Sequence, residues 1–345
     1  MIDFTIDPTG TKTSVHIDEE LRRRASSQYA EFGELIRTLR SRGILSFDDA
    51  AMSRVEVEPS VSVLHHIAQK KITTSSPHAY VEELSTLIAS NRVGTTEIRQ
   101  SALYLPLLTG STNFRPIDLS SEQIEFLEAR LSRVQTQLGA EWSDFISPIR
   151  AITVVEVPGH EDLPYFSGSS SEIWGAIHIC LPADDGVMAE LLTHEAGHHW
   201  VHLVEDLGPL ATDCWEGEMW PSPWRNELRP LGGVIHGTFV FAAAAAALCC
   251  LMLRYGEDYS VARETLRRRI AYLMAQVEYG KAVCVESGLL LANGIELIAA
   301  VGRTLTEVSP YVSDDTLTAA KRAVDLRMQR KFVDWREQGL RWHVT

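Results

Sequence analysis

Apolar positions along the first 150 residues recur at helical spacing. Residues 18–43, DEELRRRASSQYAEFGELIRTLRSRG, open on an Asp and two Glu, which suit the positive end of a helix dipole, and close on Gly43, a helix stop. Pro77 starts a second helix that runs through Ser90. A third begins at Ser120 or Ser121, where SSEQIEFLEARLSRVQTQL sets Ile124, Leu127, Leu131, Val134 and Leu138 along one face before Gly139. This half carries no catalytic spacing. His65, His66 and His78 stand apart and read as surface or core-edge residues.

The pattern changes near residue 150. AITVVEVP (151–158) is short and β-branched, and EIWGAIHICLP (172–182) alternates Ile173, Gly175, Ile177 and Ile179 against Trp174, Ala176, His178 and Cys180, so both predict strands. The segment between them, GHEDLPYFSGSSS, has the Gly, Pro and Ser density of a mobile connection. After Asp184-Asp185-Gly186 a helix carries VMAELLTHEAGHHWVHLVEDL and stops at Gly208-Pro209. A polar, Trp-rich loop spans 211–231. An alanine-rich helix follows, then helices over about 257–280, 282–302 and 313–338. The expected fold is predominantly α-helical with a small β-sheet, an α+β chain, divided into a helical region 1–150 and a second domain 151–345.

Residues 232–253, GGVIHGTFVFAAAAAALCCLML, are long and charge-poor enough to cross a bilayer. Six alanines make the run only mildly apolar, His236 and Thr238 interrupt it, and no second span accompanies it, so a central buried helix is expected and no membrane partner. Composition agrees: 45% of residues are hydrophobic and 23% charged, the balance of a globular chain. The net charge of −14, from 46 acids against 32 bases, argues against nucleic acid and anionic lipid, which need a positive surface. Five cysteines without a CxxC pair, and an N-terminus with no signal-like apolar run, fit reduced thiols in a cytoplasmic protein.

The chemistry is concentrated at His194-Glu195-Ala196-Gly197-His198, an HExxH. Helical residues four apart differ by about 40° of rotation and about 6 Å of rise, so both imidazoles reach one metal ion while Glu195 points close by. The competing account is a coincidence of sequence. His199 and His202 follow; His202 shares the face of His194 and His198, but three ligands on one straight helix would stretch a metal over about 12 Å, so both are expected as solvated or outer residues. The Gly and His of the longer zincin motif are absent, since 201 and 204 are Val. Glu216, Glu218 and Glu227 are third-ligand candidates without helical spacing, whereas His236 opens an apolar helix, where an imidazole is costly without a partner; a buried ligand explains it better than a core residue. In the loop, Arg225 and Arg229 flank a turn beside two tryptophans, and the planar guanidinium fork of either suits a carboxylate co-substrate. The alternative is two surface arginines stacked on Trp220 or Trp224.

Taken together, LLTHEAGHHWVHLVEDLGPL and SPWRNELRPLGGVIHGTFVFAAAAAAL resemble the HExxH-motif peptide-modification family, the 2-oxoglutarate and iron-dependent β-hydroxylases of ribosomally made peptides. The resemblance covers about residues 150–310 and rests on the HExxH, the SPWR…RP loop and GVIHG. It implies Fe(II) on His194, His198 and His236, 2-oxoglutarate on Arg229 in preference to Arg225, dioxygen as oxidant, and a precursor peptide as partner; the position of the helical residues 1–150, outside the resemblance, makes them the expected place for its leader. It also implies that the HExxH helix packs on the alanine-rich helix carrying the third histidine. Three histidines suit zinc as well as iron, so the alternative is a zinc metallopeptidase with Glu195 as general base. A non-catalytic peptide-binding protein is the third possibility.

Overall fold

The computed structural model describes residues 1–6, 13–45, 58–74, 76–90, 96–99, 114–156, 166–255 and 259–340. Ten α-helices and three small sheets occur among them, the helix-dominated α+β architecture expected. In chain order these are β1 (Ile2–Ile6), β2 (Thr13–Ile17), α1 (Glu19–Ser41), α2 (Pro59–Ala68), α3 (Pro77–Ala89), β3 (Glu97–Arg99), β4 (Arg115–Pro116), α4 (Ser121–Leu138), α5 (Ala140–Ile146), β5 (Ala151–Glu156), β6 (Ser167–Ser169) and β7 (Ala176–Ile179). The remainder are α6 (Asp185–Leu207), β8 (Met219–Trp220), β9 (Arg229–Pro230), α7 (Leu231–Arg254), α8 (Ser260–Glu286), α9 (Ala292–Val308) and α10 (Asp314–Glu337).

The compact units do not follow the change of pattern near residue 150. One comprises 1–18, 135–145 and 200–345; the other comprises 19–134 and 146–199. The N-terminal segment explains part of the difference. Ile2, Phe4 and Ile6 alternate with polar residues and pair antiparallel with β2, a period-two signal too short to stand out, and Phe4 is buried against Trp142 and Phe145 at 5.3 Å. Asp3 is tied to Arg303 of α9 at 2.6 Å. The first 150 residues are therefore not purely helical.

In the 19–134/146–199 unit, the sheet runs β3-β5-β7-β6, with β4 also beside β5. β3, β5 and β7 are parallel, whereas β6 is antiparallel to β7. β5, burial pattern unbroken from Ala151 to Val155, is a fully covered central strand. The second expected strand is shorter than its alternation suggested: Gly175 adopts a φ of +90°, so the chain turns through 172–175 before Ala176. β6 also falls inside the segment expected as a mobile connection. Helix α4 begins with a capping box, Gln123 N donating to Ser120 Oγ while Gln123 Oε1 accepts from Ser120 N.

In the other unit, α7 is the core. Its 18 most apolar consecutive residues are 89% buried, which fits the expected central helix. α8 and α9 pack on it, and α10 packs on α8. The expected break near residue 281 does not occur. α8 continues to Glu286 and the chain turns at Gly288, φ +66°; Gly280 serves close packing instead, since a Cβ there would lie 2.5 Å from both Thr238 Oγ1 and the Trp224 ring. Gly237 on α7 is cleared for the same ring. The two glycines form a notch that receives Trp224, which stacks on Phe241 at 5.2 Å and 11°.

Candidate metal centre on the HExxH helix

Helix α6 follows β7 through a short turn, and Asp184 caps it, its Oδ1 accepting from Val187 N at 2.8 Å. The helix is continuous over 23 residues. Its residues up to His199 fall in the sheet-containing unit and those from Trp200 in the other. Each half has its own set of polar side chains.

In the first half, the rings of His194 and His198 lie 4.9 Å apart at 74°, both half-buried, as the i,i+4 spacing requires. Glu195 is fully buried. Its Oε2 accepts from Ser169 Oγ of β6 at 2.6 Å, and its Oε1 lies 3.8 Å from His194 Nε2. Ser169 pairs with Ile177 and Gly168 with His178, so His178 faces the opposite side of the sheet from Ser169, against the stacked rings of Phe114 and Phe166. Burial pushes the His178 imidazole down to about 4, which keeps it neutral. His199, expected to be solvated or an outer residue, is completely buried with its ring 4.9 Å from Trp174.

The second half gathers three ligand-type groups. His202 Nδ1 and His236 Nε2 each lie 3.1 Å from Glu205 Oε2, and the two imidazoles are 4.9 Å apart. One ligand atom from each residue falls within 4.8 Å of the other two. Glu205 Oε1 is held separately by Trp215 Nε1 at 2.9 Å, and the Trp215 ring meets His236 edge-on at 5.1 Å. Burial acts to raise the Glu205 carboxyl, but hydrogen bonds and charge from His202 and His236 outweigh it and hold the group far below the usual carboxylate range. Burial lowers His236, with Glu205 opposing. Nearby Cys214 is pushed up to about 11, first by burial and then by the Glu205 charge.

His236 is thus buried and partnered, as its position in an apolar helix required. Among the described residues, the metal-type cluster that contains it pairs it with His202 and Glu205. Glu205 had drawn no attention in the sequence. Its signal was the His-x-x-Glu spacing, which puts His202 and Glu205 on one helical face. Glu216, Glu218 and Glu227 are exposed in the loop and stand outside this cluster.

The loop before α7 is held by its backbone. Five successive carbonyls, from Ser222 to Asn226, accept side-chain donors: Lys331 Nζ on Ser222 and Arg225, Gln276 on Pro223, Arg327 on Trp224 and Trp335 Nε1 on Asn226. This explains why SPWRN keeps its shape without regular structure. Arg225 presents its side chain to solvent. Arg229 is half-buried and meets Glu227 at 3.5 Å. The glycine pair divides its work: a Cβ at Gly232 would strike Trp215 at 2.8 Å, and one at Gly233 would press on Arg229 Nε at 3.2 Å. Trp215 and Arg229 consequently lie against the first turn of α7, one turn before His236.

Compared with known proteins, the sequence matches no family model and no curated protein. The resemblance to peptide β-hydroxylases rests on its three motifs.

Proposed function

We propose that the chain is a cytoplasmic iron- and 2-oxoglutarate-dependent oxygenase that hydroxylates a side-chain β-carbon of a ribosomally made peptide, its metal held by imidazoles of α6. The observation that carries this choice over a zinc peptidase is the state of Glu195. A general base must face the metal-bound water it deprotonates. Glu195 instead is fully buried and accepts the Ser169 hydroxyl at 2.6 Å, the posture of a residue that fixes a helix against a sheet. Imidazoles such as those of His194 and His198 are donors suited to non-haem iron.

Bound iron would supply the oxidation, in which dioxygen, 2-oxoglutarate and a C–H bond yield carbon dioxide, succinate and a C–OH, one oxygen atom going to each of the last two. The chain's own part is to bind and orient. Arg229, half-buried against Gly233, is the group for the distal carboxylate of 2-oxoglutarate, with Arg225 at the exposed end of the loop as the second choice. The acidic surplus of the chain would favour a peptide with basic residues, and the helices of 1–150 are assigned to its leader.

Aerobic incubation with Fe(II), 2-oxoglutarate and any short precursor peptide found encoded beside its gene tests this. Succinate and a peptide heavier by one oxygen atom are expected. Peptide-bond cleavage with zinc, and no consumption of 2-oxoglutarate, would overturn it in favour of the peptidase.

A further inference from the structure

We propose that His202, Glu205 and His236 form a divalent-metal centre, so that the metal of this chain sits on the His-x-x-Glu turn of α6 rather than on the HExxH. Two imidazole nitrogens converge on one carboxylate oxygen, each at 3.1 Å. The two imidazole rings themselves stand 4.9 Å apart. A single dication among the three groups, whose ligand atoms already lie within 4.8 Å of one another, satisfies all of them.

The surroundings are those of a built site. Trp215 Nε1 occupies Glu205 Oε1, which fixes the carboxylate and directs Oε2 to the histidines; such outer hydrogen bonds are how proteins orient metal ligands. Trp215 keeps that place because residue 232 is glycine, and any side chain there would displace it. Solvent reaches the three groups unequally: His236 is 4% exposed in its side chain, whereas His202 and Glu205 are 25% and 19% exposed. Two histidines and one carboxylate with an open face match the ligand set of non-haem iron oxygenases, and zinc accepts the same donors.

Catalytic iron at this centre rests on the oxygenase reading, but metal binding does not. A chain that binds metal here and consumes no 2-oxoglutarate would defeat that reading and leave this one intact. The test is anaerobic equilibrium dialysis of the full-length, metal-free chain against Fe(II), and against Co(II) as a spectroscopic probe, with a metal-induced rise in melting temperature as second readout. His202→Ala and Glu205→Gln are each expected to lower affinity about 100-fold, while the double variant His194→Ala/His198→Ala stays within about threefold of the parent. Loss of metal from the double variant, with retention in Glu205→Gln and His202→Ala, would overturn the proposal and return the metal to the HExxH. Should one single variant fail to fold, the other and the double variant still decide.

Discussion

Glu195 and Glu205 lie on the same helix, three turns apart, and their surroundings are opposite. Glu195 meets a strand serine and is sealed from solvent. Glu205 meets two histidines and a tryptophan, and keeps a partly open face. A motif read along the sequence gives the first glutamate all the attention, because HExxH is a recognised spacing. The side chains that converge in space give it to the second. The first end of α6 is joined to a sheet through Ser169, and the second gathers the three groups we propose as metal ligands.

The sharpest way to break this contrast is Ser169→Ala. Removing the donor to a fully buried carboxylate costs about 1.5–3 kcal/mol, the range for hydrogen bonds to charged groups. Urea denaturation is expected to show that loss, with metal affinity unchanged. A variant of full stability but weakened metal binding would make Glu195 part of the metal site and remove the contrast.

A second test concerns the loop that supplies Trp215 at one end and is clamped at the other by Lys331. Burial, and then the Arg327 charge, lower the Lys331 ammonium to about 7. The sign follows from proton counts. Between about pH 7 and 10.5 the unfolded chain keeps the proton that the folded chain has released, so this group makes stability rise with pH across that window, by at most about 1.4 kcal/mol per unit. Buried Cys249 and Cys284, pushed up to about 12, act the other way above about pH 9, because the unfolded thiols ionise first. The measurement is therefore a difference: urea midpoints of the parent and Lys331→Met at pH 7, 8 and 9, the parent gaining on the variant as pH rises. Parallel curves would show that Lys331 holds the Ser222 and Arg225 carbonyls without any change in its own proton affinity.

Helix positions were legible wherever caps and apolar spacing coincided, as at Ser120 and Gly139 and at Asp184 and Gly208. Legibility failed where a residue type has two uses. The helix expected to end near residue 280 runs on through Gly280, which serves as clearance for Trp224; Gly175 reads as part of an alternating strand and ends its approach with a positive φ. The HExxH and the burial of His236 were visible in one dimension, since spacing and apolar context are local properties. The partners of His236 were not. Glu205 lies 31 positions before it in the chain, across loop and helix, and only the fold that seats Trp215 on Gly232 places His-x-x-Glu beside α7. The SPWR segment was legible as a motif, whereas the reason for its shape, five carbonyls satisfied from α8 and α10, lies far along the chain.

The mildest substitution bears on the same contrast from the second end. Trp215→Phe keeps an aromatic ring beside His236, though a smaller one, and removes the Nε1 donor to Glu205 Oε1. Trp215 is 47% exposed, so water can replace the lost donor and the fold should lose less than about 1 kcal/mol. A metal site feels the change differently: a carboxylate released from its outer partner can rotate, and both oxygens compete for the histidines. Metal affinity is therefore expected to fall about tenfold at nearly constant melting temperature of the metal-free chain. The converse result, a fall in melting temperature with metal affinity unchanged, would mean that Trp215 merely covers a His–Glu–His ion cluster, and that the two ends of α6 differ in exposure rather than in purpose.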